Sequence, residues 1–504
     1  MLLQRLANNG IRLGTVFDRA AARYPVNCVY LDHDLDIAPE LGRRPTLTEI
    51  ADLVDDFASR FWAAGVRPGD QVVIHKSDAF DISLLTYSAA RIGGVPVLLA
   101  PHLDGETVSR LLRRLERPAL VTDAVKLEHE LPPEVTELTS RVLSAAGDHP
   151  AAVPLTAHAH APRIPPITMP QNRPSLITHT SGTTGVPKLA VQTGHTILAR
   201  CRPQRVLLGP VGRREPIAVH VSFAHSRMIS GIALFALRGH PLIVLRDEES
   251  DAVAETFART PPGMIEAHPN ALLRWESLAG HRAKPLANVR CFSNTFDAIH
   301  PRTVHTLLGA SQRSAPFFAQ TYGQSETGAV AARTYTRRHR EGSDGRCVGR
   351  TFPGMTDVRV VGRDGHKPGK DTPGRIEART GARILGYLGE TERFGSQLTE
   401  DGWWRMGDLG YRTPWGCLHL LDREADEIPG LSTLEVEDRL FSALPELQEV
   451  IIVPGPASVP TPVVCTRDDR PVDPERWRRA VSTLPELAEP MHRRLTDLPQ
   501  TATT

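Results

Sequence analysis

A chain of 504 residues, 40% of them hydrophobic, has the length for two or three domains with substantial cores and the composition of a globular protein. Its 59 basic and 58 acidic side chains leave a formal net charge of +1, which excludes a general affinity for nucleic acid or an acidic membrane surface. The cysteines (Cys28, Cys201, Cys291, Cys347, Cys417 and Cys465) are scattered singly with no C-x-x-C, so neither a zinc site nor a disulfide framework is indicated, and no apolar run approaches a membrane span. Residues 1–10 lack the apolar core of a signal peptide, and a cytoplasmic location is the expectation.

From about Thr46 to Asp123 helix and strand alternate. Helical spacing from Thr48 and Leu53 onwards, through Phe57, Phe61 and Trp62, predicts a helix that Gly65 can end. Gly69 and Asp70 turn the chain into a buried strand at 72–74, and a helix over 82–92 leads to a strand at 95–99. The pattern repeats with a helix over 108–115 and a strand at 119–121. Such alternation predicts a parallel sheet with helices on its faces. Residues 149–174 are rich in proline, alanine and histidine; His158 and His160 have no acidic or cysteine neighbour, and the segment reads as a flexible surface connection.

Leu176 and Ile177 then start a short buried strand, which Ser181, Gly182, Thr183, Thr184 and Gly185 interrupt before strand character resumes at Leu189. Glycines open backbone angles closed to other residues, hydroxyls and backbone N–H groups can ring an anion, and Lys188 supplies a fixed positive charge. This is the chemistry of a phosphate cradle, although the spacing is not that of a Walker A loop. Composition alone also leaves room for a Ser/Thr-rich surface hairpin. Further on, a helix begins over 196–200, and Phe223 and His225 precede an apolar helix at 232–237; His225 reads either as a pocket group or as a core histidine with a satisfied ring.

Thr321, Tyr322, Gly323, Ser325 and Glu326 form a second cluster. The aromatic can sandwich a purine, the glycine lets backbone approach it, and the carboxylate can hold Mg²⁺ against phosphate oxygens. A helix N-cap box using Ser325 and Thr327 is the alternative. Asp408, within W-R-M-G-D-L-G, is short and acidic and suited to accepting two ribose hydroxyls.

Thr180 to Lys188 reads TSGTTG-x-PK and resembles the signature loop of the adenylate-forming superfamily, which contains acyl- and aryl-CoA synthetases, peptide-synthetase adenylation domains and luciferases. The Y-G-x-S-E run at Tyr322 and the G-D-L run at Asp408 resemble later motifs of that superfamily, in the expected order. The resemblance implies an α/β fold: a large N-terminal domain over 1–421, with αβαβα-type sheets and a β-rich subdomain that includes 347–354 and 374–387, and a small mobile α+β domain over 422–504. It implies ATP and Mg²⁺ as cofactors. Catalytic roles fall on Lys188, Thr183, Glu326 and His225, with Glu326 the metal ligand. Nucleotide contacts fall on Thr180, Ser181, Gly182, Thr184, Gly185, Tyr322 against adenine, Gly323, Thr321 or Ser325 near the α-phosphate, Asp408 on the ribose, and Arg423.

The resemblance also locates an acid pocket at Phe223, His225, Asn294, Thr295, Phe296 and Asp297, where the superfamily usually has a small-residue turn. Bulk and polarity there imply a small or polar substrate, and Asp297 is placed either to meet an amine or to cap the next helix. The C-terminal part departs from the pattern. Asp422 stands for a glycine, Ala425 for a hinge aspartate or lysine, and the glycine loop before Glu437 is short. The run 495–504 resembles a stretch that in relatives continues into Gly-Lys, and the chain ends short of that lysine. These departures leave CoA, or a carrier thiol, an open partner. Three functions stand: a ligase that activates a small aromatic acid as its AMP anhydride with release of pyrophosphate, serving secondary metabolism; a diazotase that adenylates nitrite and diazotises an aromatic amine; and a non-catalytic nucleotide-binding homologue. None involves nucleic acid or a membrane.

Overall fold

Thr46 and Glu49 close a capping box, so the first long helix begins there and runs Leu47–Ala63. Its inner face buries Ile50, Val54, Phe57 and Phe61. The computed structural model of the chain describes all residues except 1–10, 181–184, 297–298, 340–343, 363–364, 367, 370, 425–427, 429–430, 456–458 and 499–504.

Among the described residues two large sheets form. In the eight-stranded sheet, Pro174–His179, Val95–Leu98, Gln71–Ile74, Ala119–Asp123, Arg141–Ala146 and Val153–Pro154 run parallel in that spatial order. Its middle strands are buried on both faces, which is why Val72, Val73 and Ile74 form an unbroken apolar run rather than an alternating one. Leu189–Thr193 pairs antiparallel beyond Pro174–His179, and Gly386–Tyr387 closes that edge. The last pairing corrects the expectation that 374–387 belongs wholly to the β-rich part: Tyr387 crosses to the other sheet, drawn by backbone pairing with Ala190.

The connection at 149–174 lies on the surface but is tied down rather than loose. Leu155 is buried, the Ile167 N–H donates to the Arg91 carbonyl at 2.8 Å, and Arg163 reaches Asp55 at 3.5 Å and Asp56 at 3.3 Å.

The twelve-stranded sheet starts with parallel strands. Val29–Leu31, which the sequence reading passed over, is followed in space by Leu242–Val244, Ile217–His220, Met264–Ala267, Cys291–Asn294 and Phe317–Gln324. At Phe317–Gln324 the direction reverses into Gly328–Thr336, and the sheet continues antiparallel through Cys347–Thr351, Leu418–Arg423, Trp404–Arg412, Gly374–Thr380 and Thr356–Val361. The reversal needs Gly323: a Cβ there would lie 2.0 Å from the Gly328 carbonyl oxygen, at a register shift between Tyr322 and Gly323. Gly323→Ala is therefore expected to lower stability by about 1–3 kcal/mol, the usual cost of forcing extra volume into packed structure, read as a reduced urea midpoint. An unchanged midpoint would show that the hairpin yields at no cost.

Beyond Leu418–Arg423 a three-stranded sheet, Leu447–Val453, Thr461–Thr466 and Met491–His492, packs on the helix Thr433–Ala443. It has its own apolar cluster, including Val436, Leu440, Leu447, Val450, Val464 and Trp477. Polar contacts join it to the rest: Arg346 to Glu435 at 2.9 Å, Arg467 to Glu276 at 2.8 Å, and Arg302 to the Pro445 carbonyl at 3.1 Å.

His419 sits 3.0 Å from Asp344. Burial lowers its pKa, but hydrogen bonds and charge from Asp344 and Cys347 outweigh that and raise it to about 9 from an ordinary 6.5. A raised folded-state pKa means that the contribution to stability is complete below the unfolded value and is lost as pH climbs through the folded one. Urea midpoints of the wild type should fall between about pH 6.5 and pH 9, and this component should vanish in His419→Gln. A midpoint difference between the two proteins that stays constant over that range would contradict the assignment.

Candidate active site

The phosphate-loop strand is anchored before the loop begins. His179, buried at the end of Pro174–His179, accepts the Ala100 N–H on Nε2 at 3.0 Å, and its Nδ1 meets the Thr180 carbonyl at 2.8 Å. Burial holds the ring neutral, with its pKa lowered to about 4. Thr180 then pairs with Lys188 across the loop. The Thr180 N–H donates to the Lys188 carbonyl at 3.0 Å, and the Lys188 N–H donates to Thr180 Oγ1 at 3.2 Å. Gly185 takes a φ of 139°, which glycine adopts without strain. Ser181, Gly182, Thr183 and Thr184 lie outside the described residues, as do Asp297 and Ala425.

Lys188 and Glu326 arrive from different sheets, and Tyr387 joins them. The Tyr387 hydroxyl donates to Glu326 Oε1 at 2.5 Å, Lys188 Nζ lies 3.3 Å from that hydroxyl and 3.7 Å from the same carboxylate oxygen, and the ammonium sits 4.8 Å from the centre of the Tyr387 ring. Charge-assisted hydrogen bonds and a cation–π contact thus fix a lysine, a phenol and a carboxylate in one cluster. Burial first, then the Glu326 charge, raises the Tyr387 phenol, so it remains a donor.

The Glu326 turn is braced from behind by Arg200. This side chain, on the helix Gly194–Leu207, is buried against the turn; Nη2 donates to the Ser325 carbonyl at 2.7 Å and Nε to the Ala382 carbonyl at 3.2 Å. Burial lowers its guanidinium to about 10, with the Glu326 charge acting in the opposite sense. The Glu326 carbonyl accepts the Ile384 N–H at 2.8 Å. Neither Arg200 nor Tyr387 was singled out from the sequence. For Tyr387 the signal was its place near the end of the quoted 374–387 run; Arg200 lies in a helix of ordinary composition and offered none.

On the same hairpin the Tyr322 hydroxyl donates to Asp408 Oδ2 at 2.5 Å, bringing together two residues far apart in sequence. Arg423 is the cross-strand partner of Asp408. Burial raises the Asp408 pKa, while Tyr322 and Arg423 act to lower it. Thr321 is committed inward, its hydroxyl donating to the Asn294 carbonyl at 3.2 Å.

The expected pocket residues separate into two groups. Phe223 packs into the core against Phe80 and His33, with ring centres 6.1 and 5.8 Å away. His225 and Phe296 face each other at 4.8 Å, and His268 lies 4.4 Å on from Phe296. Phe296 has a φ of 114°, a left-handed backbone that a bulky residue holds only under constraint. His225 caps the helix Ser226–Arg238, its Nδ1 accepting the Arg227 N–H at 3.1 Å. Burial, and next the neighbouring His268, lowers its pKa to about 3, so the ring is neutral, carries its proton on Nε2, and can donate there. Asn294 is fully buried, and Thr295 lines a small cavity.

This arrangement, a glycine-rich loop closed by Thr180 and Lys188 opposite an aromatic–carboxylate hairpin, coincides with a match to the family model described as AMP-binding enzyme over residues 17–388. The chain belongs to the AMP-binding enzyme family. It is 45% identical, over an alignment of 527 residues covering all of this chain and 95% of the relative, to 3-amino-2-hydroxy-4-methoxybenzoate diazotase of Streptomyces cremeus. It is 25% identical to 3-aminoavenalumate diazotase of a Streptomyces species, over 82% of this chain and 75% of that one. Its fold is that of the amide bond synthetase from Marinactinospora thermotolerans, with a TM-score of 0.76 at 22% identity over 97% of each chain. The ligase is therefore an adenylate-forming enzyme acting on ATP, built on the α/β fold expected of the superfamily. Among the described residues no helix is long and apolar enough to cross a membrane.

Removing the phenolic hydroxyl of Tyr387 leaves its ring beneath Lys188 but frees Glu326. Tyr387→Phe is expected to slow ATP-dependent pyrophosphate release by roughly tenfold, the worth of one hydrogen bond to a charged group, with an unchanged circular dichroism spectrum. Wild-type turnover in Tyr387→Phe would show that Glu326 needs no such holder.

Proposed function

We propose that this ligase adenylates nitrite and uses the product to diazotise an aromatic amine that also bears an acidic group. The observation that carries the reading is the 45% identity, over the whole chain, to an enzyme named as an aminohydroxybenzoate diazotase, reinforced by a second, more distant diazotase. The geometry supports it: Asn294 is buried and the Phe296 ring packs 4.8 Å from His225, which puts bulk at this turn, and nitrite needs little room.

In this reading a nitrite oxygen attacks the α-phosphorus of ATP, and pyrophosphate leaves toward Lys188 and the Thr180–Gly185 loop. The amine nitrogen then attacks the nitrosyl nitrogen, AMP departs and the amine loses a proton. Protonation and loss of water from the resulting N-nitrosamine give the diazonium ion. Lys188 offsets charge on the departing diphosphate, Tyr322 and Asp408 hold the nucleoside, and His225 donates its Nε2 proton as a hydrogen bond to an oxygen of the reacting anion. Glu326 is buried with its carboxylate beside Lys188, a hard oxygen donor placed where phosphates gather, which fits magnesium shared with phosphate oxygens. When bound, that ion would withdraw charge from the phosphates. Residues 422–504 act as the small mobile domain, and neither CoA nor a carrier thiol takes part.

A second reading, in which the carboxylate of an aromatic acid is adenylated, is favoured by 26% identity over 87% of the chain to an acyl-CoA ligase of Aspergillus niger. Pyrophosphate release in the presence of MgATP separates the two. It should require nitrite, and it should fall by at least about 100-fold in Lys188→Ala and Glu326→Ala, as expected when charge stabilisation is removed. Release driven by aryl carboxylates alone, followed by CoA consumption, would overturn the nitrite reading.

A further inference from the structure

Arg227 and Glu266 form a buried ion pair that none of the assignments above uses. Glu266 lies on Met264–Ala267 with 1% of its side chain exposed, and Arg227 begins the helix after His225. The guanidinium grips the carboxylate in a two-point fork, Nε to one oxygen and Nη2 to the other. Nη1 is left over. It is buried and has no hydrogen-bond partner, and the helix makes room for it at Gly231, where a Cβ would come within 2.9 Å of it.

Arg227 lines a cavity of about 20 Å³, together with Gln204, Phe235, Met264, Thr295 and Thr321. Two other lining groups share its condition: Gln204 Oε1 and Thr295 Oγ1 are buried and without hydrogen-bond partners. Three residues lining one small recess thus each bury a polar atom without a partner, which forfeits its hydration for nothing. Thr295, next to Phe296 in the chain, and Thr321, next to Tyr322, both line the recess.

We propose that this recess receives a ring hydroxyl of the aromatic substrate, which accepts from Arg227 Nη1 and donates to Gln204 Oε1, with Thr295 completing the set. The inference rests on the aromatic-amine reading of the site. Its volume admits one oxygen atom but not a carboxylate. Its chemistry is selective as well. The guanidinium offers only donors, and so repels an ammonium group; the amide oxygen only accepts, and opposes an anion; a bare ring carbon satisfies neither. A hydroxyl donates and accepts at once. Glu266 already neutralises the guanidinium, so no net charge is required of the ligand.

The test is calorimetric binding of 3-aminobenzoate and its monohydroxylated derivatives to the full-length protein, with a non-hydrolysable MgATP analogue present. One hydroxylated isomer should bind the wild type about 10- to 100-fold more tightly than 3-aminobenzoate, the discrimination typical of a buried group left unpaired by the wrong ligand. In Gln204→Leu and in Thr295→Val this ratio should shrink to within about threefold, and either variant suffices should the other fail to fold. A wild-type ratio near unity for every isomer, or a ratio that survives in both variants, would assign the recess to a structural water and overturn the proposal. Nitrite-dependent pyrophosphate release, followed in parallel, keeps the two claims apart. Release with no hydroxyl preference removes the recess and leaves the reaction; a hydroxyl preference without release removes the reaction and leaves the recess.

Discussion

The active-site cluster depends on one shared hydrogen-bond donor, the Tyr387 hydroxyl, where two separate sheets meet. Lys188 follows a loop of the eight-stranded sheet, Glu326 follows the hairpin of the twelve-stranded one, and Tyr387 donates to the carboxylate at 2.5 Å while lying beneath the ammonium. Lys188 Nζ lies 3.7 Å from Glu326 Oε1 and 3.3 Å from the Tyr387 hydroxyl, so ammonium, phenol and carboxylate form one charge-assisted cluster. Burial raises the phenol well beyond physiological pH, which keeps it a donor throughout.

Rigid supports then fix each member. His179 pins the start of the Thr180–Lys188 loop to the Ala100 backbone, and Arg200 carries a buried charge that holds the Ser325 and Ala382 carbonyls. A buried arginine is costly unless its donors are met, and here Glu326 supplies the compensating field. Gly323 permits the backbone approach that brings Tyr322 and Glu326 into one hairpin. The half of the site proposed to hold the nucleotide is in this way built from strand ends and tight turns. The half proposed to hold the substrate has a helix start, with His225 as its cap and Arg227 in its first turn, and Phe296 with its left-handed backbone opposite His225.

Much of this was legible in the sequence because local patterns survive folding. The parallel sheet followed from apolar runs at 72–74 and 95–99, and the loop at Thr180, Lys188 and the hairpin at Tyr322 and Glu326 announced themselves by residue type and spacing. What stayed hidden depends on long-range pairing. Tyr387 looked like part of the β-rich segment, and only its pairing with Ala190 places it under Lys188. Arg227 and Glu266 are ordinary charged residues until helix and strand bring them together. The resemblance placed Phe223 in the pocket beside His225; the chain turns at 223–224, and the Phe223 ring packs beside Phe80 and His33, a contact between segments distant in sequence that no local pattern shows. The segment at 149–174 had loop composition, and no local signal revealed the contacts to Arg91 and Asp55 that hold it down.

The central proposal, that the lysine and carboxylate clustered on the Tyr387 phenol receive the phosphates of a nucleotide held by Tyr322 and Asp408, is tested most directly by a crystal structure of the ligase soaked with ATP and magnesium. The adenosine should lie against Tyr322 with its ribose hydroxyls on Asp408, and the terminal phosphates should rest within hydrogen-bond reach of Lys188. A nucleotide bound elsewhere, or bound there with Lys188 still closed on Tyr387 and Glu326 and touching no phosphate, would contradict it.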